Sequence, residues 1–172
     1  MHKSVLLQEV IDYLNPHPGE FIVDGTVNGG GHANEILKKI SPGGKFLGID
    51  WDESLIEKLN HSEIKNHSAE VILVSGNYCN LKNILTEKKL GRVDGLLLDL
   101  GFSSEQIENS KKGFSFDQDE PLLMTYSKEE KPVAEIIREL SEKDLADVIF
   151  NLSGERHSRA IAKAIKTASK KK

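Results

Sequence analysis

The chain has 172 residues, 38% hydrophobic and 29% charged, with a formal net charge of −4. That length holds one domain, or one with a small appendage, and enough apolar residues for a buried core. No apolar run approaches the ~20 residues of a membrane span, the start MHKSVLLQEV lacks the small-residue cleavage pattern of a secretion signal, and the lone Cys79 excludes an internal disulfide, so a cytoplasmic setting is expected.

Ser4 precedes an amphipathic run carrying Val5, Leu6, Val10, Ile11 and Leu14, which predicts a helix capped by Ser4 and stopped by Asn15-Pro16. Pro18-Gly19 turns the chain into an apolar strand, Phe21-Ile22-Val23, that ends on Asp24. Four glycines follow within seven residues (Gly25, Gly29, Gly30, Gly31), and a helix is expected over about 32–40. Pro42-Gly43-Gly44 predicts a turn into a second strand, Lys45 to Asp50, again ending in an acid. Asp52 is read as the cap of a short helix through Leu55, Ile56 and Leu59, and 61–69 as a loop. A third strand is expected over 70–75, a helix over 80–90 closed by Gly91, and a fourth strand over 93–100. The long polar stretch 101–126 breaks this rhythm, as functional loops do. Helices are then predicted over about 129–140 and 142–152, the second with Ser141 and Asp144 close to a capping box. After Gly154 comes a basic helix: residues 155–172 hold seven Lys or Arg and one Glu, and can touch phosphate backbones, although Lys170–Lys172 read more simply as a solvated tail.

Strand–helix alternation with continuous apolar strands predicts an α/β fold: a parallel sheet of about four strands, helices on both faces, and a C-terminal helical segment. In such sheets ligands bind beyond the carboxyl ends of the strands. Asp24, Asp50, the Gly76-Asn77-Tyr78 turn and Asp99 all fall at those ends. The glycine turn offers close backbone approach and free N–H groups at a helix start. The dinucleotide fingerprint G-x-G-x-x-G is absent, which disfavours a nicotinamide dehydrogenase and points to a nucleoside without a pyrophosphate, S-adenosylmethionine (SAM). An ordinary α/β turn is the plainer reading of that stretch.

Asp50, 19 residues after Gly31, stands where an acid takes the ribose hydroxyls. Tyr78 is read as packing on an adenine face or as a surface aromatic. Asp99 sits where a methyl donor would meet its acceptor, or else staples a loop. His32 is favoured as a contact through its position at the turn, with a general base and a helix-start residue as the alternatives. No metal site is expected, because the six histidines and one cysteine have no metal-ligand spacing. There is no G-x-S-x-G elbow and no P-loop lysine.

The pieces HKSVLLQEVIDYLNP, VDGTVNGGGH, FLGIDWD, GNY at 76–78, VDGLLLDLGFSSEQI, KKGFSF and GERHSRAIAKAI run in order along nearly the whole chain. In these the chain resembles the bacterial 16S rRNA (cytosine-N4)-methyltransferase family (RsmH/MraW), shortened at the C-terminus, with LLLDLGFSSEQIENSKKGFSF the most specific block. The resemblance implies a Rossmann-like SAM-dependent methyltransferase with SAM as cofactor. It implies methyl transfer to the exocyclic N4 of a decoding-centre cytidine, and 16S rRNA or the small ribosomal subunit as partner. By position it implies cofactor contacts from Gly30, Gly31, His32, Asp50, Tyr78, Asp99 and Gln106. Asp99, or a backbone carbonyl of the 99–104 loop, would accept from the cytosine amino group, and Ser103 and Ser104 would position the base. The expected organisation is a SAM-binding core over 1–100, an active-site and substrate loop over 101–128 and a helical segment over 129–172. A second reading is a non-catalytic or partner-dependent RNA- or ribosome-binding protein that keeps the SAM-binding fold. The chain departs from the family pattern at Asn28, where Gly is usual, at Gly29, where a basic residue is usual, and at Leu123 and Thr125, where an Asp and an Arg are missing; the last two put loop ordering or rRNA docking in question.

Overall fold

Four apolar runs pair as a parallel sheet: β1 (Phe21–Asp24), β2 (Lys45–Asp50), β3 (Glu70–Ser75) and β4 (Gly95–Leu97), in the order β3-β2-β1-β4. The computed structural model describes residues 4–102, 107, 110–126 and 130–169. The sheet belongs to one compact unit, residues 1–105; residues 106–172 form a second. With β1 in the middle, Asp24 is in register with Gly48 on one side and Leu97 on the other. The carboxyl ends of β1, β2 and β4 therefore lie side by side.

Side chains alternate across a strand, and the two faces of this sheet are both apolar for that reason. Ile22 and Phe46 point to one face and pack with Ile11 of α1 (Leu7–Leu14), Ile36, Leu37 and Ile40 of α2 (Gly31–Ile40), and Ile56 and Leu59 of α3 (Glu53–Asn60). Phe21, Val23, Leu47 and Ile49 point to the other and meet Leu81, Ile84 and Leu85 of α4 (Leu81–Glu87). Each fully buried Ile or Leu contributes about 1.5–3 kcal/mol. Asp94 clamps the entry to the sheet: its carboxylate accepts the Phe21 N–H at 2.9 Å, and its own N–H donates to the Phe21 carbonyl at 2.8 Å.

Several boundaries differ from the sequence expectation. Helix α1 starts at Leu7, and Leu6, at φ 50, stands at its cap with no side-chain hydrogen bond. Ser4 is not the cap; a Cβ on Gly31 would fall 2.0 Å from its hydroxyl oxygen. Helix α4 ends at Glu87 rather than near Leu90, because Lys89 turns left-handed at φ 54 before Gly91 is reached. Strand β4 is three residues long; among the described residues it pairs only with β1, and the ladder stops at Leu97. The 61–69 stretch holds a 3-10 turn, Glu63–Asn66, whose Ile64 is buried in the core.

In the second unit, α5 (Val133–Glu139) begins after Pro132, later than expected from the apolar spacing. Proline lacks an N–H and suits a helix start. The first N–H groups of α5 are capped by main chain: Val133 donates to Leu123 O at 2.9 Å and Ala134 to Leu122 O at 3.0 Å. The Leu123 and Met124 N–H groups in turn donate to Lys112 O at 3.2 and 2.7 Å. This segment is thus ordered by backbone bonds that need neither the Asp nor the Arg absent at Leu123 and Thr125. Helix α6 (Glu142–Ser153) has the expected cap, with Ser141 Oγ accepting the Asp144 N–H at 3.1 Å, and ends on Gly154 at φ 71. Helix α7 (Ser158–Ser169) packs Ala162 against Leu145 and Ala146 of α6. Lys166 reaches from α7 to the end of α5 and donates to the carbonyls of Ile137, Arg138 and Leu140 at 2.9, 3.0 and 2.8 Å, satisfying acceptors that a helix end leaves open.

Candidate functional site

Three acids stand at the carboxyl end of the sheet, each in a different environment. Asp24 is 1% exposed. Its Oδ1 accepts the Thr26 N–H at 3.0 Å, an Asx turn that starts the glycine-rich segment. Burial pushes the Asp24 carboxyl up to about 6, against the opposing pull of the Thr26 N–H and of His32. Asp50 is 6% exposed and binds the turn itself: Oδ2 accepts the Asn28 N–H at 2.9 Å and Oδ1 the Asp52 N–H at 2.9 Å. Burial raises its pKa as well, with those two N–H groups pulling the other way. The Trp51 N–H also donates to this carboxylate and pulls its pKa down. Asp99 is the open one, its side chain 44% exposed.

The turn between β1 and α2 is shaped to bring these acids together. Gly25 N–H donates to Leu97 O of β4 and Val27 N–H to Ile49 O of β2, each at 2.9 Å, so the chain leaving β1 is pinned on both sides. A Cβ on Gly25 would fall 2.5 Å from Leu98 Cδ2 and 3.1 Å from Tyr78 Cβ, so a side chain there would displace Leu98 and press on Tyr78. Asn28 stands at φ 44, a conformation Asn tolerates, and its Nδ2 donates to Thr26 O at 3.1 Å. Gly30 is left-handed at φ 79, and a Cβ on it would press on Leu59 at 3.0 Å.

The structure places the sequence candidates in two groups. His32, buried on α2, lies with Asp99: its Nδ1 is 3.9 Å from Asp99 Oδ2, while its Nε2 is 3.0 Å from the Val5 carbonyl. A carbonyl only accepts, so Nε2 carries the proton. Asp50 lies with the glycine turn, through Asn28. Tyr78 opens a short 3-10 turn, Tyr78–Asn80, and stays partly exposed above Gly25. Asp52 caps α3 as read, accepting from Ser54 N at 2.9 Å. Ser103, Ser104 and Gln106 lie outside the described residues. Thr26 was not among the candidates, yet its hydroxyl accepts the Asp99 N–H at 2.7 Å; the spacing Asp24-x-Thr26 was the available signal. A cavity of about 850 Å³ opens between α2 and the 62–67 turn, lined by Gly29 and Gly31 of the glycine-rich turn and by Asn34, Lys38, Leu59 and His67, but by none of the three acids. Among the described residues no cluster of His, Cys, Asp and Glu can hold a metal, and no helix is long and apolar enough to cross a membrane.

A family model described as the MraW methylase family matches residues 1–172. The chain belongs to the MraW methylase family. It is 42% identical over 167 residues to the ribosomal RNA small subunit methyltransferase H of Dictyoglomus thermophilum, covering 96% of this chain and 56% of that protein. It is 38% identical to the protein of the same name in Lachnospira eligens, covering 99% of this chain and 54% of that protein. The chain thus spans about half the length of the curated relatives it matches. A solved structure, a putative rRNA-methylase from Clostridium thermocellum, is 19% identical with a TM-score of 0.42, covering 60% of this chain and 58% of that one.

Proposed function

We propose that this chain carries the SAM-binding and methyl-transfer residues of an enzyme that methylates the exocyclic N4 of a cytidine in 16S rRNA, working in the cytoplasm on ribosomal RNA or the small subunit. The observation that carries this reading is the convergence of Asp24, Asp50 and Asp99 on one glycine-rich turn in an MraW family chain.

The residues present fit SAM. A Cβ at Gly29 or Gly76 would meet nothing within 4 Å, so the backbone there has room for a ligand. Beyond its main-chain donors Asn28, Asp52 and Trp51, the Asp50 carboxylate has about one acceptor position left for a ribose hydroxyl. Three carboxylates favour a cationic sulfonium ligand and disfavour a pyrophosphate. When bound, SAM supplies an electrophilic methyl group. Gly30, Gly31 and His32, at the start of α2, would hold it, Tyr78 would offer its ring to the adenine, and Gln106 would join by family position. Asp99 would accept an N–H of the cytosine amino group and keep that group's lone pair on nitrogen, where it is otherwise delocalised into the ring, and the extra N4 proton would leave after the methyl transfer. Ser103 and Ser104 position the base. The target cytosine must be reached in a loop or out of its stack. Holding base and methyl group in line supplies much of the rate.

The test is methyl incorporation from labelled SAM into undermethylated small subunits, with SAM binding read on the same sample. Binding with turnover supports the reading. Binding of SAM and RNA without turnover would favour the non-catalytic or partner-dependent RNA-binding alternative.

A further inference from the structure

The pairing of β1 with β4 ends at Leu97, two residues before Asp99. What anchors Asp99 next is a side chain of the neighbouring turn. The Asp99 N–H donates to Thr26 Oγ1 at 2.7 Å. The same hydroxyl lies 3.4 Å from Asp24 Oδ1, which already accepts the Thr26 N–H. An ionised carboxylate only accepts, so the hydroxyl proton turns to Asp24 and a lone pair of the oxygen is left for Asp99. Asp24 is buried and held by the Asx turn, so the hydroxyl has one orientation available. The amide it grips belongs to the residue whose carboxylate stands beside His32.

We infer that Thr26 is a positioning residue for the methyl-transfer site: its hydroxyl, oriented by Asp24, fixes the main chain at Asp99 and so aims the Asp99 carboxylate at cofactor and base. This rests on the proposed role of Asp99 as a ligand contact. Serine keeps the hydroxyl, whereas valine keeps the volume and loses the acceptor, so the two substitutions separate hydrogen bonding from packing.

The experiment is a calorimetric titration of SAM into the unsubstituted chain, Thr26→Val, Thr26→Ser, Asp99→Ala and Thr26→Val/Asp99→Ala. Thr26→Val is expected to weaken SAM binding about tenfold and Thr26→Ser by less than about threefold. In the Asp99→Ala background Thr26→Val should add less than about twofold, because the side chain it aims is gone. A Thr26→Val chain that binds like the unsubstituted one overturns the inference. So does Thr26→Ser as damaging as Thr26→Val, and so does an equal Thr26→Val penalty with and without Asp99, which would mark a purely structural residue. No SAM binding by the folded, unsubstituted chain would remove the proposed function and this inference together; loss confined to the Thr26 comparison removes this inference alone.

Discussion

Asp50 Oδ2 accepts the main-chain N–H of Asn28 at 2.9 Å, tying the end of β2 to the glycine-rich turn 22 residues earlier. The carboxylate read as a ribose ligand therefore also holds the ligand's seat in place. Asp50→Ala should then do two things at once. SAM binding should weaken about tenfold or more, and stability should fall by about 1–3 kcal/mol as the main-chain N–H groups of Asn28, Asp52 and Trp51 lose their acceptor. Calorimetry and urea denaturation on one sample check this; unchanged affinity refutes the ribose role, and unchanged stability refutes the clamp.

Asp24 makes stability depend on pH. Its folded-state pKa, about 6, lies above the ordinary 3.8, so the folded chain binds the proton more tightly than the unfolded one. The associated stability is full below about pH 3.8 and is lost as pH rises through about 6, a change on the order of 3 kcal/mol. Asp50 shifts in the same direction. Asp24→Asn keeps an acceptor for the Thr26 N–H and removes the titration. It should be more stable than the unsubstituted chain at pH 8 and lose that advantage near pH 4. Urea melts at the two pH values decide it, and an advantage equal at both would contradict the assignment.

Asp99→Ala separates the two readings of that residue. Its bond to Thr26 is made by the main-chain N–H, which alanine keeps. The variant should fold with a melting temperature within a few degrees of the original, since a loss below about 1 kcal/mol shifts a domain of this size by little more. Methyl transfer should fall at least about tenfold. A variant that unfolds would make Asp99 a loop staple.

The basic segment predicts salt-sensitive RNA binding. Arg159 and Lys163 are exposed on α7, one turn apart, whereas Lys166 is occupied by the carbonyls at the end of α5. Arg159→Ala/Lys163→Ala should therefore reduce the slope of log affinity against log salt by about 1.4, two phosphate contacts at about 0.7 each for single-stranded RNA. Filter binding across a salt series checks it, and an unchanged slope would make the segment a packing helix only.

Much of the α/β unit was legible because its strands are continuous apolar runs that end in acids, and the sheet buries both faces. Ends were less legible. Ser4 looks like a helix cap, but the helix begins at Leu7 and Ser4 lies against Gly31. Leu98 and Leu100 extend the apolar run of β4, yet the β1–β4 ladder stops at Leu97. Asp50 and Asn28 meet only through the tertiary fold, so neither spacing nor composition signals their bond. Thr26 carried a local signal, two residues after a strand-end Asp, but its grip on Asp99 spans 73 residues. The absent Asp and Arg at Leu123 and Thr125 cast doubt on a segment that is ordered by main-chain bonds to Lys112.

SAM is proposed to sit on the turn between β1 and α2, among the strand-end acids. Titration of SAM into the folded chain, with Asp50→Ala alongside, tests this placement most directly. One SAM per chain is expected, with a binding isotherm weakened about tenfold or more by the substitution. A folded chain that takes up no SAM, or binds it equally well without Asp50, would contradict this placement.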